Sequence, residues 1–230
     1  MAMFGRRRPR RPKLVAFDVI GTLFPLDPLR PRIKELGLPP LGLEAWFATA
    51  LRDAFAISAV GGFRPFTTIL EQALDQVLTG QQLDPERRLC TGLVTALETL
   101  APARDARAAF ETLAKADIQV VALSNGAMRI TRKLLGSAGL EPLVNRIVSV
   151  EEVKLFKPRL EVYVHTAKVC RVKPGRTALV AAHAWDILGG KSVGMTTAYV
   201  SRNRPFPSVM GQPDVEAQEI GPAVDALLAL

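Results

Sequence analysis

The chain has 230 residues, enough for one large domain or for a core with a smaller insert. Its 48% of hydrophobic residues is the composition of a packed globular protein and excludes disorder over the whole length. The net charge of +8 suggests a nucleic-acid partner only until it is located: six positive charges are Arg6, Arg7, Arg8, Arg10, Arg11 and Lys13, no acid precedes Asp18, and removing these six leaves +2.

Residues 1–12 therefore read as a basic, solvated and disordered tail, in which Pro9 and Pro12 argue against a helix. Contact with an anionic partner is the alternative reading of the same residues. A nucleic-acid partner would rest on this tail alone and is not expected. A membrane partner is not expected either. The run Leu14–Phe24 is interrupted by Asp18 and lacks a small-residue cleavage site, so it is not an export signal, and no stretch reaches the roughly 20 apolar residues of a membrane span. Cys90 and Cys170 have no metal-like spacing and read as buried free thiols, which suits a reducing cytoplasm.

In chain order, Lys13–Asp18 is a short apolar run ending in an acid, predicted as a buried strand that delivers Asp18 at its C-terminal end. From about Pro28 to Leu100 the pattern is helical. Leu43, Trp46, Phe47, Ala50, Leu51, Ala54 and Phe55 recur at helical spacing up to Gly61–Gly62. A second helix is predicted over 66–78, and a third from Asp84–Pro85, read as N-cap and first helical residue, to about Leu100. After Pro102 helix and strand alternate: helix 106–116, strand 118–123, helix 128–138 closed by Gly139, strand 147–150, helix 159–170, strand 177–181, helix 187–193, strand 197–200 and a last helix after Pro222. This alternation predicts an α/β fold, a doubly wound parallel sheet covered on both faces. No internal repeat is present.

In such a sheet, ligands bind beyond the carboxyl ends of the strands. Four strand ends carry polar groups: Asp18; Ser124 with Asn125; Lys157; and Asp186. An acid after a strand is often only the cap of the next helix; the coincidence of all four points to a shared crevice. There, a carboxylate shielded from water beside a fixed cation is an ionised and competent nucleophile. Lys157 would supply the cation and lower the Asp18 pKa. Thr22, Ser124 and Asn125 would orient carboxylate or substrate, the amides after Ser124 would open a helix that favours anions, and Asp186 would hold Lys157 or activate water.

The segment Phe17-Asp18-Val19-Ile20-Gly21-Thr22-Leu23-Phe24 resembles the nucleophile motif of the haloacid dehalogenase superfamily. Leu123-Ser124-Asn125-Gly126 resembles its second motif. Lys157-Pro158 with Tyr163 resembles the third, and His183-Ala184-Trp185-Asp186 with Gly190-Lys191 the fourth, as it stands in 2-haloacid dehalogenases. The separations of 106, 33 and 29 residues between Asp18, Ser124, Lys157 and Asp186 suit a helical cap inserted after the first motif. The resemblance implies a hydrolase in which Asp18 displaces halide from the carbon beside a carboxylate and water then cleaves the resulting ester. It also implies Arg52 as the halide-side arginine, with Asn125 as second donor and Tyr163 and Ile20 at the substrate. A solvated helix arginine is the plain reading of Arg52.

Phosphatases of the superfamily carry a second aspartate two residues after the first, which protonates the leaving group; Ile20 stands there and cannot transfer a proton. The fourth motif offers one acid, so a Mg²⁺ site would be poor in oxygen ligands. No metal or other cofactor is expected. Relative to the dehalogenases this chain also departs at Ile20, where tyrosine is usual, and at Ala181 and His183, where a serine and an asparagine are usual and position water. His183 would replace the asparagine as donor or base, or serve a structural role.

Phe55, Phe63 and Phe66 read as pocket lining or plain core, Trp46 and Trp185 as packing residues, His165 as helix surface, and Lys154 and Lys173 as solvated. The expected organisation is a tail over 1–12, a core of 13–25 and 103–230, and a helical cap over 26–102. The expected function is that of a 2-haloacid dehalogenase-like hydrolase with a small-molecule substrate. A phosphatase and a non-catalytic binding protein on the same fold are the alternatives, and a homodimer is left open.

Overall fold

The computed structural model describes residues 10–230; the expectation of a disordered start falls mostly on residues outside this range. Arg10 and Arg11 are exposed and Pro12 is already buried. The first strand, β1 (Leu14–Asp18), is buried along its whole length. It has no polar residue before its last, which only a central strand covered on both faces accommodates.

A tight turn follows β1. Leu23 N donates to Asp18 O (3.2 Å), Phe24 N to Val19 O (2.9 Å) and Gly21 N to Phe24 O (2.8 Å), with Gly21 at φ +85°, a left-handed backbone that favours glycine. A short 3₁₀ turn at Asp27–Leu29 then leads into four helices: α1 (Arg30–Glu35), α2 (Gly42–Ala59), α3 (Phe66–Gly80) and α4 (Arg87–Ala96). Helix α2 buries Leu43, Trp46, Phe47, Ala50, Leu51, Ala54 and Ser58, a stripe at three- and four-residue spacing. Trp46 Nε1 donates to Leu70 O of α3 at 2.8 Å, which satisfies the one polar atom of a fully buried indole.

Two expectations fail in this region. Helix α1 was not foreseen, because its six residues are too few to display a period. Helix α4 starts at Arg87 with Glu86 as its N-cap, so Asp84 and Pro85 precede the helix instead of opening it.

The chain returns where Ala103 N donates to Leu23 O at 2.7 Å. Helix α5 (Ala106–Lys115), β2 (Gln119–Ser124), α6 (Met128–Ser137), β3 (Arg146–Ser149), α7 (Leu160–Val169), β4 (Thr177–Ala181), α8 (Ala184–Ser192), β5 (Thr196–Val200), β6 (Val215–Ala217) and α9 (Ile220–Leu228) complete it. Six parallel strands stand in the order β3-β2-β1-β4-β5-β6. Helices α5 and α9 contact each other and the sheet, and α7 contacts α8, which lies on β4 and β5. Strand β6 was not anticipated: three residues, none fully buried, carry no apolar signature. Helix α8 begins three residues earlier than expected, which places Asp186 inside its first turn.

Chain direction across the sheet reverses between β1 and β4, so their carboxyl ends flank the crevice that a doubly wound sheet offers to a ligand. Cys90 and Cys170 are free thiols, half-buried and not fully buried as expected. No helix among the described residues is long and apolar enough to cross a membrane.

Candidate active site

Asp18 ends β1 with 3% of its surface exposed. Its Oδ1 accepts from Lys157 Nζ at 2.8 Å. Its Oδ2 accepts from Thr22 Oγ1 at 2.5 Å and lies 2.9 Å from His183 Nδ1. Thr22 Oγ1 in turn accepts from Ala182 N at 2.9 Å, so one hydroxyl ties the carboxylate to the ends of both β1 and β4.

Lys157 is fully buried, and each of its three ammonium protons has an acceptor: Asp18 Oδ1, Asp186 Oδ2 at 2.6 Å and Leu123 O at 3.1 Å. The loop that carries it is pinned by consecutive amides. Phe156 N donates to Ser58 Oγ of α2 and Lys157 N to Asn125 Oδ1, both at 2.9 Å. Asp186 is closed off on its other side, where Tyr163 Oη donates to Oδ1 at 2.5 Å. Gly189 makes this possible: a Cβ there would collide with the Tyr163 ring and hydroxyl.

The charges follow from this geometry. Burial alone would raise the Asp18 pKa, but the Lys157 ammonium and the hydrogen bond from His183 outweigh it and hold the carboxyl well below the usual range. Burial would lower that of Lys157, yet two carboxylates against one ammonium raise it. Burial raises Asp186, with the Asp18 charge adding and Lys157 opposing. Asp18 is thus the group kept ionised, and Lys157 the cation that keeps it so.

Asp18, Thr22, Lys157, His183 and Asp186 come together as anticipated from the sequence, and Asn125 joins them through the Lys157 amide. Ser124 is adjacent and buried, but its one hydrogen bond among the described residues is accepted from Gly126 N at 2.9 Å; it turns the loop before α6 and does not bond Asp18. Helix α6 starts only at Met128, so the amides directly after Ser124 belong to that loop and not to a helix start. The His183 ring stacks on Trp185, centroids 5.1 Å apart and 22° between planes, and lies 5.9 Å from Phe47 of α2. It presses against Gly21, where a Cβ would meet His183 Cε1 at 2.6 Å. Ile20 is half-buried in the turn after β1, opposite Phe24.

Two further expectations are corrected. Arg52 is not at the site. Its side chain is 63% exposed and bonds Asp53 and Gln76 on the outer side of α2 and α3, because it falls off the buried stripe of its own helix. Tyr163 has no exposed surface and touches Asp186, so it positions an acid and does not face a substrate. Of the two roles expected of Asp186, its geometry fits holding Lys157: each oxygen has a hydrogen-bond partner and the residue has no exposed surface. Phe63 and Phe66 pack on Phe156, with centroids 5.2 and 5.8 Å away, and support the Lys157 loop from behind.

Beside His183 opens a cavity of about 210 Å³, lined by Leu43, Phe47 and Leu51 of α2 and by Gly21, His183 and Arg202. Arg202 was missed. It lies just past β5, a fifth strand end that the sequence reading did not search, and donates to Gly21 O at 2.7 Å and to Thr22 O. Asn125 Nδ2 is the one buried side-chain nitrogen or oxygen without a partner among the described residues. No group of three or more His, Cys, Asp and Glu side chains stands in a metal-holding arrangement among them.

Comparison with known proteins agrees with this architecture. The family described as haloacid dehalogenase-like hydrolase matches residues 12–194. An (S)-2-haloacid dehalogenase of Xanthobacter autotrophicus is 28% identical over 193 residues, 83% of this chain and 75% of that one. One from Pseudomonas sp. (strain YL) is 27% identical over 217 residues, 93% of each. The structure of the L-2-haloacid dehalogenase from Xanthobacter autotrophicus with chloropropionic acid covalently bound superposes with a TM-score of 0.81 at 22% identity, over 94% of this chain and 98% of that one.

Proposed function

Since the chain belongs to the haloacid dehalogenase-like hydrolases, we propose that it hydrolyses the carbon–halogen bond of a small 2-halo acid through an ester on Asp18. One observation carries the reading: a nearly buried carboxylate held ionised by Lys157 is a nucleophile stripped of the water that would blunt it. A carboxylate oxygen of Asp18 attacks C2 from the side opposite the halogen, the carbon–halogen bond breaks, and halide leaves with the bonding pair. Halide needs no proton, so Ile20 in place of an acid costs nothing. It does need a donor, and the unpartnered Asn125 Nδ2 supplies one. Water then adds to Cγ of Asp18 and the Cγ–O bond to the substrate breaks, releasing a 2-hydroxy acid. In this reading His183, whose Nδ1 donates to Asp18 Oδ2, takes the proton of that water at Nε2.

Residues 26–102 act in this reading as the cap that closes the crevice, with Ser58 coupling α2 to the Lys157 loop. The names of the relatives, all acting on 2-halo acids, support the substrate class. The free thiols support a reducing compartment, the cytoplasm. The test is halide release from (S)- and (R)-2-chloropropanoate beside phosphate release from a panel of phosphate esters, each with EDTA and with Mg²⁺. Halide release insensitive to EDTA is expected; Mg²⁺-dependent phosphate release without halide release would replace the reading with phosphatase chemistry.

A further inference from the structure

Arg202 is in an unusual electrostatic position. It is half-buried, and its two hydrogen-bond partners are the neutral carbonyls of Gly21 and Thr22. No carboxylate pairs with it among the described residues, although Arg30 on the same rim is paired with both Asp27 and Glu44. Burial and then the neighbouring Arg204 charge lower its pKa, and Asp105, Asp27 and Asp18 oppose this without bonding to it. A partly desolvated charge without a counterion is costly unless something supplies the missing anion. The geometry also fixes where that anion would sit. Arg202 and His183 both line the 210 Å³ cavity, and His183 Nδ1 lies 2.9 Å from Asp18 Oδ2. Leu43, Phe47 and Leu51 give the cavity an apolar patch, and the paired Asp27, Arg30 and Glu44 and the exposed Arg204 line its rim.

We propose that Arg202 is the receptor for the substrate carboxylate, and that the apolar patch takes a hydrophobic substituent longer than that of a two- or three-carbon acid. This deepens the preceding reading and rests on it, since it assumes that Asp18 attacks a carboxylic acid. Two of the Arg202 guanidinium protons hold the turn after β1 by carbonyls, and the remaining ones are available to a carboxylate. One side chain thereby ties the bound anion to the turn that positions Thr22 against Asp18. The cavity has the volume of about seven liquid waters at ~30 Å³ each, which a chloroacetate would leave partly unfilled.

The test uses inert acids, so that it does not depend on turnover. Isothermal calorimetry of the full chain with acetate, butanoate and hexanoate should show affinity rising by up to about fourfold per methylene, and by about tenfold or more across the series. Hexanamide, of the same shape without the charge, should bind the wild type more weakly. Arg202→Gln should weaken hexanoate about tenfold or more and leave hexanamide within about twofold. A flat series, no hexanoate binding, or a parallel fall of both ligands in Arg202→Gln would overturn the proposal, the last because it is the signature of a loosened turn alone. Should Arg202→Gln fail to fold, phenylglyoxal modification of the wild type decides: hexanoate and not hexanamide should protect Arg202 by peptide mapping, and absence of protection refutes the assignment. Ala48→Trp, at an exposed position on the cavity wall, should flatten the length series and spare acetate. Hexanoate binding without turnover of any halo acid would sink the dehalogenase reading and leave the subsite; turnover with a flat series and unchanged Arg202→Gln binding would do the reverse.

Discussion

The two walls of the crevice are built on opposite terms. On the inner wall, Lys157, Asp186 and Tyr163 are without exposure, and each charged or hydroxyl group has its partners within 2.5–2.8 Å, apart from the Lys157 contact to Leu123 O at 3.1 Å. Elsewhere, among the described residues, Asn125 Nδ2 has no partner, Arg202 on the outer wall has no counterion, and His183 lies between aromatic rings at the edge of a cavity. A saturated network has nothing left to offer a ligand; its work is to hold one carboxylate in one charge state and one orientation. An unsaturated wall stores recognition, since groups left short of partners gain most from a bound one. On the proposed function, the inner wall would govern whether Asp18 reacts, and the outer wall what reaches it.

Breaking the first link of the inner wall should have the largest effect. Asp18→Asn should lower turnover by at least ~10⁴-fold with the fold kept, because an amide is not a competent nucleophile. Single-turnover assays with intact-mass checks for deamidation measure this, and retained activity of the undeamidated variant would remove Asp18 from the chemistry. Lys157→Met leaves two buried carboxylates without their cation and should cost about 3–5 kcal/mol of stability, read by urea unfolding, together with loss of activity.

The same variant sharpens the comparison through pH. Asp18 is depressed, so its stabilisation is present above its unfolded pKa and is lost as pH falls through the folded one. Lys157 is raised, so its stabilisation is present below its unfolded pKa and is lost as pH rises through the folded one. Without the cation, burial raises both carboxyls in Lys157→Met, so the stability gap to wild type should widen as pH rises from about 4 toward neutrality and narrow again only above ~10, where Lys157 itself titrates. A gap that stays flat from about pH 4 to 8 would mean that Lys157 does not hold the two carboxylates ionised.

On the outer wall, His183→Ala should spare attack by Asp18 and slow ester breakdown roughly 10²-fold, so that an Asp18 adduct accumulates in rapid-quench samples. Normal rates with no trapped adduct would reduce His183 to a packing role between Trp185 and Phe47. The smallest effect belongs to Arg52→Ala: a stability change within about 0.5 kcal/mol and unaltered kinetics, whereas a loss of halide release would return Arg52 to the site.

The side chains gathered at the strand ends were legible because most follow an apolar run by a short step. Asp18, Ser124 and Asp186 needed only the rule that strand ends in a parallel sheet converge. Arg52 shows the limit of motif matching over periodicity. The stripe Leu43, Trp46, Phe47, Ala50, Leu51, Ala54 that defines α2 already turns residue 52 outward, and the resemblance overrode that phase. Tyr163 was found by its spacing from Lys157 but given the wrong neighbour, since spacing along a helix does not say which side chain the helix will meet.

The sequence by itself determined the parallel sheet, the helical insertion after β1 and the acid at the end of β1, because these depend on local periodicity and on connection rules shared by all such sheets. Only the tertiary structure decided which polar groups would be saturated and which left wanting. Arg202 meets Gly21 and Thr22 across 181 and 180 residues of chain, and Ser58 meets Phe156 across 98. Such contacts have no signature in the spacing of either partner: they arise where loops from separate strands cross, and the free energy of each depends on how much water the other elements have already removed.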